Sequence, residues 1–217
     1  MFQKYKKTLI FTSLVTLIPI IVGLILWDKL PDSIPIHWGI NGEPDNWAGK
    51  PFAVFGMPVL MLAMQWLCFF ACTADPKRAK YSPKMMKLVL WICPGISLIM
   101  CCLVYPACIG YSISSKLIAP LIVGALFIVM GNLLPKCQQT YTMGIKLPWT
   151  LASEENWNAT HRFGGKVWVV GGILCLLSVF LGNFWILMVI IAAMVILPTV
   201  YSYVYYCKYK EDTTDGQ

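Results

Sequence analysis

The side chains best suited to proton transfer and polar recognition are concentrated in residues 131–166, the longest polar interruption of a mostly apolar chain. This stretch, the motif segment, contains His161 next to Arg162, and Glu154 next to Glu155. A histidine paired with a carboxylate can respond to protons, and an arginine can bind a carboxylate or a phosphate. In the structural alternative, His161 hydrogen-bonds the segment and holds it in place.

A helix is predicted to begin near Ser153, whose hydroxyl can cap it, with both glutamates in the first turn, where the helix dipole favours them. On this helix Trp157 and His161 are four residues apart and share a face with Glu154. Gly164-Gly165 is expected to end the helix or to let it turn into the bilayer. The pattern therefore predicts a short amphipathic helix at the membrane interface.

Other polar and aromatic residues of the motif segment have two readings each. Trp149 and Trp157 could form a binding surface for a protein partner, or they could anchor the segment at the interface. Asn132 precedes Pro135 at the end of a predicted membrane span. Its amide is expected to hydrogen-bond a neighbouring helix rather than a ligand.

A second polar stretch, residues 28–51, is called the hairpin segment. Pro31 and Pro35 disfavour a helix, Ile34–Trp38 reads as a short strand, and Asn41-Gly42 favours a tight turn. We therefore expect a small ordered hairpin or cap, with Trp38 or Trp47 packed onto the ends of neighbouring spans.

The hairpin segment is also acidic, with four carboxylates against two lysines. A negative, aromatic surface of this kind can attract a cationic amphipathic peptide. For His37 beside Trp38, a structural role is the alternative. The candidate binding residues of this segment are His37, Trp38, Glu43, Asp45 and Trp47.

The rest of the chain supplies the elements that hold these two segments. A mean hydropathy of +0.68 with 12% charged residues excludes a soluble globular domain. The fold class predicted is an all-α polytopic membrane protein with six transmembrane helices, a small ordered outer loop and an interfacial inner helix. The predicted spans are Thr8–Trp27, Phe52–Ala74, Met85–Ile109, Leu117–Leu134, Val167–Leu181 and Phe184–Tyr206.

Most of the 17 basic residues lie in segments on the same side of the membrane as the N-terminus. By the positive-inside rule both termini and the motif segment are then cytoplasmic, and the hairpin segment is outside. This topology separates the two histidines, His37 and His161, so no two-histidine metal site is expected, and no cofactor. It also accounts for the net charge of +7 without direct nucleic-acid binding. The lipid bilayer is the expected partner of the six spans.

Sequence signatures of hydrolases, metalloproteases and nucleotide-binding proteins are absent from the chain. The predicted spans contain almost no ionisable residue, which weighs against a proton-coupled transporter. The chain is therefore not expected to be an enzyme.

Two motifs resemble a known family. The run G-N-x-L-P-K at residues 131–136, followed by G-I-K-x-P-W-T-L-x-S-E-E-x-W-x-x-T-H-R-x-G-G-K at 144–166, is similar to the signature of the SdpI family of bacterial membrane proteins. P-x-H-W followed by G-x-P-D-x-W, at residues 35–47, resembles the region found in front of SdpI-type domains. The positions that the first motif suggests for binding are Asn132, Pro135, Lys136, Pro148, Trp149, Thr150, Glu154, Trp157, His161, Arg162 and Gly165.

The resemblance implies an immunity protein of the bacterial plasma membrane that gives resistance to a secreted antimicrobial peptide toxin. It also implies a signalling role, in which the motif segment recruits a cytoplasmic autorepressor.

Residues 1–116 and 117–217 are predicted to form two halves of three spans each, the second of them SdpI-like. A weak similarity between their loops suggests an inverted repeat. The alternative function is accordingly a transporter or channel-like protein for a small molecule or an amphipath. An intramembrane enzyme is the third reading.

Overall fold

The computed structural model describes residues 2–39, 42–111 and 115–214. Within these residues, six helices are long and apolar enough to cross a membrane. This confirms the predicted fold class of a polytopic helical membrane protein. The six helices are Phe2–Ile25, Phe52–Ala74, Pro83–Cys108, Leu117–Lys136, Glu154–Leu181 and Phe184–Lys208.

The chain divides into two compact units. The first contains residues 1–74 and 86–115, and the second contains residues 75–85 and 116–217. Compared with the two predicted halves, the linker 75–85 and residue 116 belong to the second unit instead of the first.

The first unit opens with a span that is broken in the middle. Helix α1 (Phe2–Thr16) is followed by α2 (Ile18–Ile25), and Pro19 lies at the start of the second piece. Proline has no N–H and disrupts the preceding turn, so the amide of Ile20 bonds to the Leu17 carbonyl at 3.0 Å. The break leaves the Thr16 carbonyl free to accept a hydrogen bond from Ser97 Oγ at 2.9 Å.

The hairpin predicted for residues 28–51 is present. Strands β1 (Ser33–Trp38) and β2 (Pro44–Gly49) pair antiparallel, with a register irregularity around His37. Gly42 has a positive φ of 75°, as a tight turn requires, whereas Asn41 lies outside the described residues.

The hairpin rests on the apolar core of the first unit. Ile34 is buried in a cluster with Val54, Val104 and Tyr105, and Trp38 packs against that cluster. The expectation that Trp38 or Trp47 would pack is therefore met by Trp38 alone. The chain leaves the hairpin through a π-helical turn (Phe52–Gly56) into α3 (Met57–Ala74), and the remaining span of this unit is most of α4 (Pro83–Cys108).

The second unit contains the remaining three spans and the motif segment. Its helices are α5 (Ser115–Leu133), α6 (Pro148–Ala152), α7 (Glu154–Ser178) and α8 (Phe184–Thr214). Helix α7 begins as predicted, since Ser153 Oγ accepts the Asn156 N–H at 3.2 Å.

The expectation that Gly164-Gly165 ends the helix or turns it is wrong. Helix α7 is 25 residues long and continues through both glycines. The predicted interfacial helix is therefore the first part of the fifth span. Gly165 lies against α5, where a Cβ atom would come within 2.8 Å of the Gly131 carbonyl oxygen. Here glycine allows close helix packing rather than a helix end.

Candidate functional site

The centre of the motif segment is a buried aromatic pair. Trp157 and His161 are 0% and 1% exposed, and their rings stack with centroids 4.0 Å apart. The Trp157 indole N–H donates to the Cys137 carbonyl at 2.7 Å. The shared helical face predicted for these two residues is confirmed, and it faces the interior of the second unit.

The hydrogen bonds of His161 define its protonation state. Its Nε2 accepts the Ile145 N–H at 2.9 Å, so this nitrogen carries no proton. Its Nδ1 lies 2.7 Å from the Trp157 carbonyl oxygen, which can only accept, so Nδ1 carries the proton. His161 is therefore a neutral imidazole that connects the loop to α7, which is the structural alternative considered for it.

The backbone at Gly144, in the loop between Lys136 and Pro148, passes close to the rings of this pair. Gly144 has a φ of 117°, a conformation that residues with a side chain rarely adopt. A Cβ atom at this position would lie 2.5 Å from a ring carbon of Trp157 and 2.6 Å from His161 Nε2. Only glycine lets the backbone lie over the two rings.

Thr150 organises the turn that precedes α7. Its fully buried hydroxyl accepts the Leu147 N–H at 2.9 Å and lies 2.9 Å from the Ile145 carbonyl oxygen, to which it can donate. Gln139 Nε2 donates to the carbonyls of Thr150 and Leu151, at 3.0 Å each. The loop is thus a closed set of hydrogen bonds and not a flexible connection.

Asp75, in the linker after α3, is a site residue that the sequence reasoning missed. Its carboxylate accepts from Tyr81 Oη and Thr142 Oγ1 at 2.8 Å each, and from the N–H groups of Tyr141, Thr142 and Lys77 at 3.0, 2.9 and 2.8 Å. Burial alone would raise the pKa of Asp75, but these hydrogen bonds outweigh it and hold the pKa below its ordinary value. Asp75 is therefore an ionised clamp that fixes the motif segment to the linker.

The same linker provides partners for two other residues. Lys80 forms an ion pair with Glu154, and Lys77 donates to Gln139 Oε1. Glu154 therefore pairs with Lys80 and not with His161.

Helix α6 and the start of α7 are also bound to α8. Trp149 Nε1 donates to Ser202 Oγ at 2.9 Å, and Asn156 Nδ2 donates to the Ser202 carbonyl at 3.1 Å. Trp149 further contacts the rings of Tyr203 and Tyr206. Trp149 is thus a packing residue within the second unit.

The predicted residues of the motif segment fall into two groups. Thr150, Trp157, His161 and Gly165 are buried and Trp149 is half-buried. The exposed group consists of Asn132, Pro135, Lys136, Pro148, Glu154 and Arg162.

Three polar members of the exposed group, Asn132, Lys136 and Arg162, make no side-chain hydrogen bond or ion pair among the described residues. Arg162 has no carboxylate partner there, and Asn132 lacks the helix–helix hydrogen bond expected of it. The Arg162 side chain is thus exposed directly after the buried His161 in the chain.

The chemistry of the buried group is that of a scaffold. Across the described residues, no buried side-chain nitrogen or oxygen atom lacks a hydrogen-bond partner. Burial raises the pKa of the Cys137 thiol to about 11, so it stays protonated at neutral pH. Both nitrogens of His161 are in use. The arrangement therefore favours rigidity over acid–base or nucleophilic catalysis.

The candidate residues of the hairpin segment are, in contrast, mostly in contact with solvent. His37 Nδ1 and Asp45 Oδ1 lie 2.6 Å apart, with side chains 68% and 49% exposed. Glu43 and Trp47 are also exposed, and Trp38 is half-buried. The hairpin presents charge and one large apolar side chain at its surface.

Comparison with known proteins finds a separate match in the region of each segment. Residues 136–202 match the model of the SdpI/YfhL protein family, and residues 14–62 match a domain of unknown function that includes the hairpin. The chain is 33% identical over 210 residues to the immunity protein SdpI of Bacillus subtilis (strain 168), covering 94% of this chain and 97% of that protein. No solved structure matches the chain. The protein is a multi-pass membrane protein, and it belongs to the SdpI/YfhL family.

Proposed function

We propose that the protein confers immunity to a secreted antimicrobial peptide in the bacterial cell membrane, and that it binds this peptide at the hairpin segment on the outer face. The observation that carries the proposal is the similarity to an immunity protein over nearly the whole of both chains. Both termini and the motif segment are cytoplasmic in this proposal. The clustering of basic residues on that side supports this orientation.

The surface of the hairpin suits a cationic, amphipathic ligand. Glu43 and Asp45 are exposed on it, and Trp47, 51% exposed, offers an aromatic contact beside them. Opposite charges speed the encounter, and an exposed aromatic side chain supplies apolar contact area. The positive charge of Lys50 is already paired within the hairpin segment, since its Nζ lies 3.3 Å from Asp32 Oδ1.

The motif segment has the properties of a docking element for a cytoplasmic protein, which we propose to be an autorepressor. Its buried hydrogen bonds make it rigid, and a rigid surface loses little conformational entropy on binding. The exposed side chains of Arg162 and Lys136 would contact the partner.

The experiment is a protection assay. The gene is expressed in a Bacillus subtilis strain without its own immunity protein, beside a strain carrying the B. subtilis relative. Both are exposed to the toxin of that relative and to a panel of cationic membrane-active peptides. We expect survival with at least one peptide. No protection against any of them, at membrane abundance equal to that of the relative, would contradict the proposal.

One observation favours transport as the second candidate. The α1–α2 break lies beside fully buried polar side chains, since Gln65 hydrogen-bonds Thr12 at 2.6 Å and Thr16 at 2.9 Å. Broken helices with internal polar groups are typical of transporters. Uptake of a labelled peptide or small amphipath into proteoliposomes would distinguish transport from binding.

A further inference from the structure

A pocket in the first unit lies beneath strand β1 of the hairpin. Its cavity volume is about 160 Å³, and its walls come from the α1–α2 span, β1, the start of α3 and the middle of α4. Apolar residues line most of it, among them Ile34, Ile36, Met57, Met61, Ile96 and Met100.

The few polar atoms in the wall are already in use. Ser97 Oγ donates to the Thr16 carbonyl at 2.9 Å, and Tyr105 Oη donates to the Pro19 carbonyl at 3.2 Å. Water needs two to four polar partners to occupy a cavity stably, and these atoms have little left to offer. The pocket is therefore suited to an apolar group.

The size of the pocket limits what that group can be. An engineered apolar cavity of about 150 Å³ in another protein stays dry and binds benzene. A pocket of similar volume accepts one aromatic or branched aliphatic side chain. The flexible side chains of Met57, Met61 and Met100 let the walls adapt to its shape.

The charge next to the pocket indicates the kind of molecule that carries this side chain. The strand that forms part of the wall belongs to the acidic hairpin, with Glu43 and Asp45 exposed on it. A zwitterionic lipid has no net charge and gains little from this surface. The basic side chains of a cationic peptide are attracted to it while one apolar residue enters the pocket.

We propose that this pocket is the anchor site for a single aromatic or branched aliphatic side chain of a cationic peptide that lies on the hairpin. The inference rests on the proposed function and names the contact that would give it affinity and specificity. Anchor residues that fill a desolvated pocket commonly dominate the binding energy of an interface.

The test combines a filled pocket with an altered peptide. Met61→Trp adds an indole inside the pocket, and Leu60→Trp adds the same group one residue away, where the side chain is 49% exposed. Each protein is placed in nanodiscs of zwitterionic phospholipid. The probe is the synthetic toxin of the B. subtilis relative, used intact and with each aromatic or branched aliphatic residue replaced by alanine in turn.

With the wild type and with Leu60→Trp, one peptide position is expected to lose at least about tenfold in affinity. With Met61→Trp that same replacement should cost less than about twofold, because the pocket no longer accepts the side chain. Met100→Phe fills the pocket from α4 and serves if Met61→Trp does not fold, as judged by gel filtration and thermal unfolding.

Three results would overturn the proposal. The first is an equal loss at the same position with the wild type and both filled variants, and the second is no binding to the wild type. The third is a phospholipid that native mass spectrometry finds on the wild type and not on Met61→Trp, because a lipid would then occupy the pocket.

The protection assay separates this failure from that of the proposed function. Full protection by Met61→Trp would contradict the anchor site and leave immunity standing. A wild-type protein that protects against nothing would contradict immunity itself.

Discussion

The hairpin segment and the motif segment use the same residue types in opposite ways. Each contains one histidine near tryptophans, yet His37 lies in an exposed pair with Asp45, while His161 is stacked on Trp157 in the interior of its unit. The hairpin has its polar groups on the surface, above an apolar pocket. The motif segment has them inside, with their hydrogen bonds satisfied. The environment of a histidine, rather than its presence in a motif, therefore indicates what it can do.

The largest effect expected from this difference is that of a small substitution in the motif segment. Gly144→Ala should destabilise the protein by more than about 3 kcal/mol, because the methyl group would overlap the Trp157 and His161 rings at a backbone φ of 117°. Thermal unfolding in detergent and membrane abundance measure the loss.

The matched control is Gly110→Ala. Gly110 has a comparable φ of 99°, but a Cβ atom there meets nothing within 4 Å. Backbone strain alone then predicts a cost of about 1–2 kcal/mol. Equal effects of the two substitutions would mean that the rings beneath Gly144 can move aside, and that the motif segment is not rigid.

The next effect concerns the clamp at Asp75. Asp75→Asn should cost about 2–3 kcal/mol, because the amide places an NH₂ group among donors and removes charge-assisted hydrogen bonds. Glu43→Gln, in the exposed part of the hairpin, is the control and should change stability by less than about 0.5 kcal/mol.

The pH dependence of stability tests the same residue. The pKa of Asp75 is lower in the folded state than the ordinary value of 3.8, so the unfolded chain binds more protons as the pH falls. The stabilisation is complete above that ordinary value and is lost as the pH falls through the lower folded pKa. The melting temperature of the wild type should therefore decline below about pH 4 more steeply than that of Asp75→Asn. Parallel curves would remove Asp75 from this role.

Much of the fold can be predicted from local sequence. Six apolar runs give the spans, and Pro31, Pro35 and the Asn41-Gly42 pair give the hairpin. The end of α7 could not be found this way. The rule that glycine ends a helix applies when water replaces the lost contacts, whereas Gly165 packs against the Gly131 backbone of another helix.

The site could be predicted only in part, because its partners are far apart in sequence. The motif located Trp157 and His161, but the backbone N–H of Ile145 that fixes the His161 tautomer gives no sequence signal. Asp75 is the only carboxylate in an otherwise basic linker, a signal that was available. Its partner Thr142 is 67 residues away, and only the folded chain joins them.

Arg162 and His161, adjacent in sequence, give the sharpest test within the motif segment. His161→Ala should cost about 2–4 kcal/mol, since it empties a buried, hydrogen-bonded site. Arg162→Ala should change stability by less than about 0.5 kcal/mol, because that side chain is exposed.

If the segment docks a cytoplasmic protein, Arg162→Ala should nevertheless abolish signalling at normal abundance, and Arg162→Lys should restore part of it. Blots of membrane fractions and a reporter gene under the partner repressor measure the two quantities. A double variant of His161 and Arg162 would confound folding with docking, so the single variants are needed. Unchanged signalling in Arg162→Ala would assign the exposed face no part in docking.

The smallest effect on stability is expected at the hairpin, where Asp45→Asn weakens the hydrogen-bonded contact with His37. Both side chains are largely exposed, and exposed pairs contribute about 0.5 kcal/mol or less because water and salt screen them. The same charge should matter for binding, since the rate at which a cationic peptide associates depends on the field of the surface it approaches.

Stopped-flow fluorescence with the synthetic toxin of the relative, in low and in physiological salt, measures this effect. Asp45→Asn should slow association by about threefold in low salt and have less effect at about 0.15 M, where screening already acts over roughly 8 Å. Asn46→Asp, which adds a carboxylate at the next position, should speed it. If neither substitution changes the association rate and the melting temperature stays constant, the hairpin does not attract the peptide by charge. The hairpin and the motif segment would then differ in burial alone.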